Sequence, residues 1–323
     1  MTSTDEIQKL LEDLRKTYDS LNKLIEIATI KMREINRILQ NKGVHDADFS
    51  PKERITQQIN PTMALRAQRI TQEVAPKNNP TSITRISTGV EKMDDLLIGG
   101  IRTATNVLLA GPPYSTKNTL AWNFIGRSLK EKTPAIIVTT DRDIEEIKYE
   151  LSRISGNVQE AEDQGLLKFV DAYSRSIQAE SRSPHAIVID NIINVSALMK
   201  AVDTVAADMR LKYPYYRLLF TSLTSYVNEL DEKIMLRFVQ QFVQKRKSEN
   251  GVAFYLIESS LFDKRTIESI SYFMDGSIEF KNEAAKSYLK VEGMGNVRSR
   301  EWIEIYPIDS SFDLGAFTLE KIK

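Results

Sequence analysis

The stretch Val107-Leu-Leu-Ala-Gly-Pro-Pro-Tyr-Ser-Thr-Lys-Asn-Thr119 constrains the fold of this chain more than any other. An apolar run ends on Gly111, Lys117 follows, and Leu120-Ala-Trp-Asn-Phe-Ile-Gly-Arg-Ser-Leu129 then has the apolar face of a helix. Strand, turn and helix succeed one another without a gap, which makes a βα unit. The spacing is close to G-x-x-x-x-G-K-[ST], whose backbone N–H groups wrap phosphate oxygens, whose Lys meets the outer phosphates and whose hydroxyl holds Mg²⁺. Two positions depart from it. Thr116 stands at the second glycine, where a Cβ costs about 1–3 kcal/mol if the backbone needs a glycine-only conformation. Asn118 stands at the metal-binding hydroxyl, yet an Asn amide oxygen can ligate a hard cation and the Thr119 hydroxyl lies one residue further on, so both are candidate Mg²⁺ ligands. The candidate phosphate site is therefore Gly111, Pro112, Pro113, Tyr114, Ser115, Thr116, Lys117, Asn118 and Thr119. The competing reading, a plain βα turn punctuated by Gly111, Pro112 and Pro113, leaves a Lys at that offset unexplained.

Strand and helix patterns alternate from residue 84 onward. Apolar runs at Val107 to Ala110, Ala135 to Thr140, Leu166 to Val170, Ala186 to Ile189, Arg217 to Thr221 and Val252 to Ile257 read as strands of a parallel sheet covered on both faces. Shorter strands near Gly276 to Phe280, Lys286 to Val291 and Glu301 to Ile305 are expected to form an antiparallel margin.

The chain before residue 84 has a different character. Residues 4 to 41 carry heptads with Ile7, Leu14, Leu21, Ala28 and Ile35 at one core position and Leu11, Tyr18, Ile25, Met32 and Leu39 at the other. Leu10, Leu24 and Ile38 widen the stripe beyond a two-stranded seam, which predicts a helical bundle or packing on a partner surface; a helix folded back on its own domain is the alternative. Gly43 stops this helix. A second begins at the capping box Ser50-Pro-Lys-Glu53 and ends at Pro61, and a third runs from Thr62 to Val74. Pro76-Lys-Asn-Asn-Pro-Thr-Ser82 reads as a boundary, which divides the chain into a coiled-coil-forming helix (1–43), a helical linker (44–83) and an α/β domain (84–323).

Lys plus Arg and Asp plus Glu number 44 each, so no global field draws the chain to nucleic acid. With no Cys and only His45 and His185, disulfides and thiolate metal sites are excluded and a histidine-based site is disfavoured, a composition that suits a cytoplasmic protein. No run approaches the roughly 18 apolar residues of a membrane span.

Arg85-Ile-Ser-Thr-Gly-Val-Glu-Lys-Met-Asp-Asp-Leu-Leu-Ile-Gly-Gly-Ile101 resembles the opening segment of KaiC-like ATPases of the RecA superfamily, which reads approximately RIPTG-x-x-x-LDELLGGGI and runs into the strand before the phosphate loop. Val138-Thr-Thr-Asp-Arg142 is similar to that family's acidic strand end, where carboxylates orient the attacking water. Val252 to Ile257 with Glu258, Arg265-Thr-Ile267 and Phe273-Met-Asp-Gly-Ser-Ile-Glu279 resemble its last third. The resemblance covers roughly residues 84 to 306. It implies a RecA-like P-loop NTPase fold, mainly parallel with antiparallel C-terminal strands, preceded by the N-terminal helical segment.

It also implies roles. Asp141 becomes the candidate catalytic carboxylate, although it reads equally well as a strand-terminal Asp paired with Arg142. Two strands compete for the Walker B carboxylate that supports Mg²⁺. Ala186-Ile-Val-Ile-Asp190 has the textual form, whereas Arg217-Leu-Leu-Phe-Thr-Ser-Leu-Thr224 fits better by position and places Thr221 where the family has Asp. Within Gly293-Met-Gly-Asn-Val-Arg-Ser-Arg-Glu-Trp302, similar to the family's C-terminal hairpin, Arg298 and Arg300 are candidates for acting on a neighbouring subunit's nucleotide; solvated hairpin arginines are the alternative. The reading implied is an oligomeric or partner-binding regulator that takes ATP or ADP, possibly with Mg²⁺, and hydrolyses it slowly or not at all. A non-enzymatic scaffold and a DNA-binding recombination ATPase similar to RadA paralogues are the alternatives.

Overall fold

The computed structural model describes residues 84–317. The coiled-coil helix read at 1–43 and the linker read at 44–83 lie outside the described residues. In chain order the elements are β1 (Arg85–Ile86), α1 (Glu91–Leu96), β2 (Ile101–Arg102), β3 (Asn106–Gly111), α2 (Lys117–Lys130), β4 (Ala135–Thr139), α3 (Ile144–Ser155), α4 (Val158–Asp163) and β5 (Leu167–Asp171). They continue with β6 (Ile187–Val188), α5 (Val195–Arg210), β7 (Arg217–Thr221), α6 (Leu223–Glu229), α7 (Glu232–Ser248), β8 (Val252–Glu258), α8 (Lys264–Ser271), β9 (Gly276–Glu283), β10 (Lys286–Gly293), β11 (Ile303–Ile308) and β12 (Ser311–Leu314).

Ten strands make one sheet in the order β12-β11-β10-β9-β3-β8-β7-β4-β5-β6. The core strands are apolar at successive positions because both faces are covered, and alternate residues serve opposite layers. Val107, Leu109, Ile137, Phe169, Leu219 and Phe254 pack with α2, α3 and the opening segment. Leu108, Ile136, Val138, Leu218, Phe220 and Tyr255 pack with α5, α6 and α7. Phe220 lies at the centre of the second layer, in edge-on contact with Phe242 at 5.5 Å and stacked on Tyr255 at 6.1 Å.

The sheet departs from the sequence expectation at its margins. The strand expected at Ala186 to Ile189 contracts to Ile187–Val188, which pairs with β5 alone at the edge of the sheet. The antiparallel margin begins one strand later than expected, because β9 runs parallel to β3, and β10, β11 and β12 are each antiparallel to the strand before. The short pair β1–β2 and the last strand β12 carried no pattern long enough to read.

The opening segment is fastened locally. Asp94 accepts from the Thr88 amide at 2.6 Å and the Thr88 hydroxyl at 2.8 Å, and Arg85 donates to the Leu97 and Gly100 carbonyls at 2.7 and 2.8 Å. This closed turn delivers the chain into β3. Among the described residues no helix is long and apolar enough to cross a membrane.

Candidate functional site

The phosphate-type loop leaves the carboxyl end of β3 in the middle of the sheet. Gly111 admits no side chain, since a Cβ there would lie 2.8 Å from both Phe280 Cβ and Ser115 Oγ. Thr116, at the head of α2, has φ −67° and ψ −1°, an ordinary right-handed conformation open to any L-residue. The cost anticipated for a Cβ at the second glycine therefore does not arise. The left-handed position of the loop is instead Tyr114, at φ 61°, with its side chain projecting at 99 % exposure.

Thr116→Gly consequently has no strain to relieve. We expect it to lower stability by up to about 1 kcal/mol through the freer unfolded chain, and to leave nucleotide affinity within about twofold. A thermal melt with a titration checks this; a rise of several degrees would show that the threonine is strained after all.

Lys117 is fully buried. Its ammonium donates to the Pro112 carbonyl at 2.9 Å and to Glu258 Oε2 at 2.9 Å, and reaches Ser115 Oγ at 3.5 Å. The amides of Thr116, Lys117 and Asn118 make no hydrogen bond among the described residues, as the first turn of a helix requires, and this makes an anion-accepting end. The Asn118 and Thr119 side chains, both partly exposed, are likewise unengaged among the described residues.

Sheet register brings the remaining groups together. Gly111 pairs with Glu258 across β3 and β8, and Thr139 pairs with Thr221 across β4 and β7. The carboxyl ends of four adjacent strands thus carry the loop, Glu258, Thr221 and Asp141. Thr221 Oγ1 donates to Asp141 Oδ1 at 2.7 Å. Behind them, Ser222 donates to Thr224 Oγ1 at 2.8 Å, and Thr224 Oγ1 accepts the Glu258 amide at 3.0 Å. The Thr140 hydroxyl donates to the Ser222 carbonyl and accepts the Ser222 amide, each at 2.8 Å, across a cis Thr221–Ser222 peptide.

The electrostatics follow from this crowding. Burial holds the Lys117 ammonium below the usual lysine range, opposed by the hydrogen bond and charge of Glu258. Asp141 is exposed as a residue, yet its carboxylate is crowded by protein. That desolvation raises its pKa above the usual Asp value, against the Thr221 hydrogen bond and the charge of Arg142. The reading of Asp141 as a strand-end carboxylate paired with Arg142 gives way to one bonded to Thr221, since no direct Asp141–Arg142 ion pair forms among the described residues.

Other candidates fall elsewhere. Asp190 is exposed beyond β6, five strand positions from β3, or about 24 Å at ~4.8 Å per strand. It cannot meet the same phosphate as Lys117. Arg298 and Arg300 follow Gly293, which pairs with Gly276 at the amino end of the sheet, opposite the loop of the same chain. Arg298 donates to the Asp95 carbonyl at 2.8 Å and pairs with its carboxylate at 2.9 Å, while Arg300 donates to the Gly293 and Gly295 carbonyls at 3.2 and 2.7 Å. Arg298 thus ties its turn to α1, and Arg300 braces the turn itself. Among the described residues no group of three or more His, Cys, Asp or Glu is arranged to hold a metal ion. Sequence reasoning placed Glu258 only at a strand end and missed its bond to Lys117. The available signal was a carboxylate closing an apolar run, the same form that drew attention to Asp190.

A family model described as "ATPase: KaiC" matches residues 86–306 of this chain. UPF0273 proteins of Aeropyrum pernix and Methanopyrus kandleri are 30% and 33% identical to it over 108 and 109 residues, 33% and 34% of this chain. The chain spans less than half the length of these two relatives, 44% and 43%. A UPF0273 protein of Pyrococcus furiosus is 24% identical over 46% of this chain and 58% of its own length. Among solved structures, that of the KaiC-like protein PH0186 from Pyrococcus horikoshii covers 73% of this chain and 100% of its own, with a TM-score of 0.56 and 18% identity, a likeness of fold alone.

Proposed function

Because this chain belongs to the KaiC ATPase family, whose general role is nucleotide binding, we propose that residues 111 to 119 bind ATP or ADP and that the protein is a nucleotide-responsive regulator with slow or absent hydrolysis. One observation carries this reading. The groups that grip phosphate are in place, a buried Lys117 beside open helix amides, while the two positions that would hold Mg²⁺ are Asn118 and Thr221. Phosphoryl transfer depends on positioning and on neutralising charge by the metal. With Thr221 in the Walker B place, a metal would have Asn118, Thr119, Asp141 and Glu258 as candidate oxygen donors and no strand-end Asp on β7.

Calorimetric titration with and without Mg²⁺, beside a phosphate-release assay, tests this. Binding should persist in EDTA, weakened by no more than about tenfold, and turnover should stay near background. A substantial Mg²⁺-dependent turnover that Asp141→Asn abolishes would restore an active ATPase. An absence of all nucleotide binding would leave the scaffold.

The widened apolar stripe of residues 4 to 41 supports assembly, either of copies of this chain or with a protein partner. Left in water such a stripe costs about 25 cal/mol per Å². Deletion of residues 1 to 43 should lower the mass in solution or abolish partner capture while the core still melts cooperatively. An unchanged mass with a melt several degrees lower would place the segment on its own domain instead.

A further inference from the structure

We propose that this site selects a nucleoside diphosphate over a nucleoside triphosphate, because the Glu258 carboxylate already holds the position on Lys117 that a terminal phosphate would take. The inference rests on the reading of residues 111 to 119 as a nucleotide site.

An ammonium has three N–H donors and no acceptor. Lys117 directs all three at its own chain, to the Pro112 carbonyl at 2.9 Å, Glu258 Oε2 at 2.9 Å and Ser115 Oγ at 3.5 Å. The last is at the limit of a hydrogen bond, so it is the contact that an incoming phosphate displaces most readily. In loops of this spacing the backbone amides hold the inner phosphates and the Lys meets the outer ones. A diphosphate can therefore settle on the open amides of Thr116, Lys117 and Asn118 and take the Ser115-facing donor, with the Lys117–Glu258 pair intact.

A triphosphate has no such arrangement. Its terminal group needs the donor that Glu258 holds, and it adds negative charge beside Glu258 and Asp141, both of which act on Lys117. Glu258 is fixed in the main chain by its pairing with Gly111 and by the hydrogen bond that its backbone N–H donates to Thr224 Oγ1. Among the described residues, Lys117 and Arg142 act here against Asp141 and Glu258, two of each sign, a balance that a third phosphate would tip to negative. Thr221 and Asn118 stand where a carboxylate and a hydroxyl would bring a divalent cation to neutralise it. Glu258 is thus a specificity-determining residue.

The test is calorimetric titration of the full chain with ADP and with ATP, in EDTA and again in Mg²⁺, for the wild type, Glu258→Gln and Glu258→Asp. The wild type should bind ADP about tenfold or more tighter than ATP. Glu258→Gln should tighten ATP and narrow that ratio to about threefold or less, with ADP little changed, while Glu258→Asp keeps the preference. A thermal melt establishes that each variant is folded. Equal or tighter binding of ATP by the wild type in EDTA overturns the proposal, as does loss of the preference in Glu258→Asp. It is also overturned if Mg²⁺ makes ATP the preferred ligand and Glu258→Gln removes that gain, since Glu258 is then a metal carboxylate. Failure of both nucleotides to bind overturns the underlying reading of the loop, a distinct result.

Discussion

Replacing Arg217 by Met should lower the melting temperature of the α/β domain by about 10 °C, from a loss of about 3 kcal/mol and the usual ~2–4 °C per kcal/mol for a domain of this size. Arg217 opens β7 and is fully buried, an unusual place for a guanidinium. It donates to the Ser87 carbonyl at 2.7 Å and the Phe124 carbonyl at 2.8 Å, pairs with Glu131 at 2.6 Å, and lies 4.9 Å from the Phe124 ring centroid. One side chain thus ties together the opening segment, the middle of α2 and the end of α2. Burial pulls its pKa below the usual arginine value, and the charge of Glu131 opposes that. Met fills most of the volume but leaves the Ser87 carbonyl without its donor, and the cost of an orphaned buried polar group is what the melt reads. Glu131 is partly exposed and keeps Arg127 at 2.6 Å, which holds the loss below that of a fully stranded buried charge. Arg217→Lys should fall between, since an ammonium cannot reproduce the fork to two carbonyls and a carboxylate. A shift under about 3 °C for the Met variant would show that the network contributes no net stability.

Arg217 also illustrates what the chain discloses as text and what it withholds. The strand Arg217 to Thr221 was read with its exact ends, because four uninterrupted apolar and β-favouring residues follow the arginine. The same logic overestimated Ala186 to Ile189. An apolar run states that a segment is buried, and it does not state how many neighbours the segment pairs with; β6 has one. The loop shows a second limit. Sequence reasoning put the conformational cost at Thr116 because the pattern has glycine there, yet backbone angles belong to the whole loop, and in this chain the left-handed residue is Tyr114. Two proline rings at Pro112 and Pro113 restrict the approach and set a course that the pattern alone does not encode. Contacts of high sequence separation were the least legible. Lys117 and Glu258 are 141 residues apart, and only the order β3-β8-β7-β4 makes them neighbours. That same order sets Thr221 two strands from β3 and Asp190 five, a difference that their spelling could not show.

Replacing Lys117 by Met should weaken binding of ADP by about 100-fold, on the scale of one or two charge-assisted hydrogen bonds at about 1.5–3 kcal/mol each. Met is nearly isosteric with the lysine stem, so the loop keeps its packing beside α2 while the ammonium disappears. Stability should move little, by less than about 1 kcal/mol. The reason lies in the ammonium itself: burial lowers its pKa against the attraction of Glu258, so deleting the charge removes a desolvation penalty along with a bond. Glu258, at 22 % side-chain exposure, can turn to water when its partner is gone. The affinity should fall further than one lost bond implies, because the charge of Glu258, held beside the loop by the β3–β8 pairing, is no longer offset by an ammonium. Adding Glu258→Gln to Lys117→Met should accordingly recover part of the binding, by about fivefold or more. Two results would count against this account. An ADP affinity unchanged by Lys117→Met would remove the loop from the binding site, and a collapse of the melting temperature would make Lys117 a structural ion-pair residue whose effect on ligand is secondary.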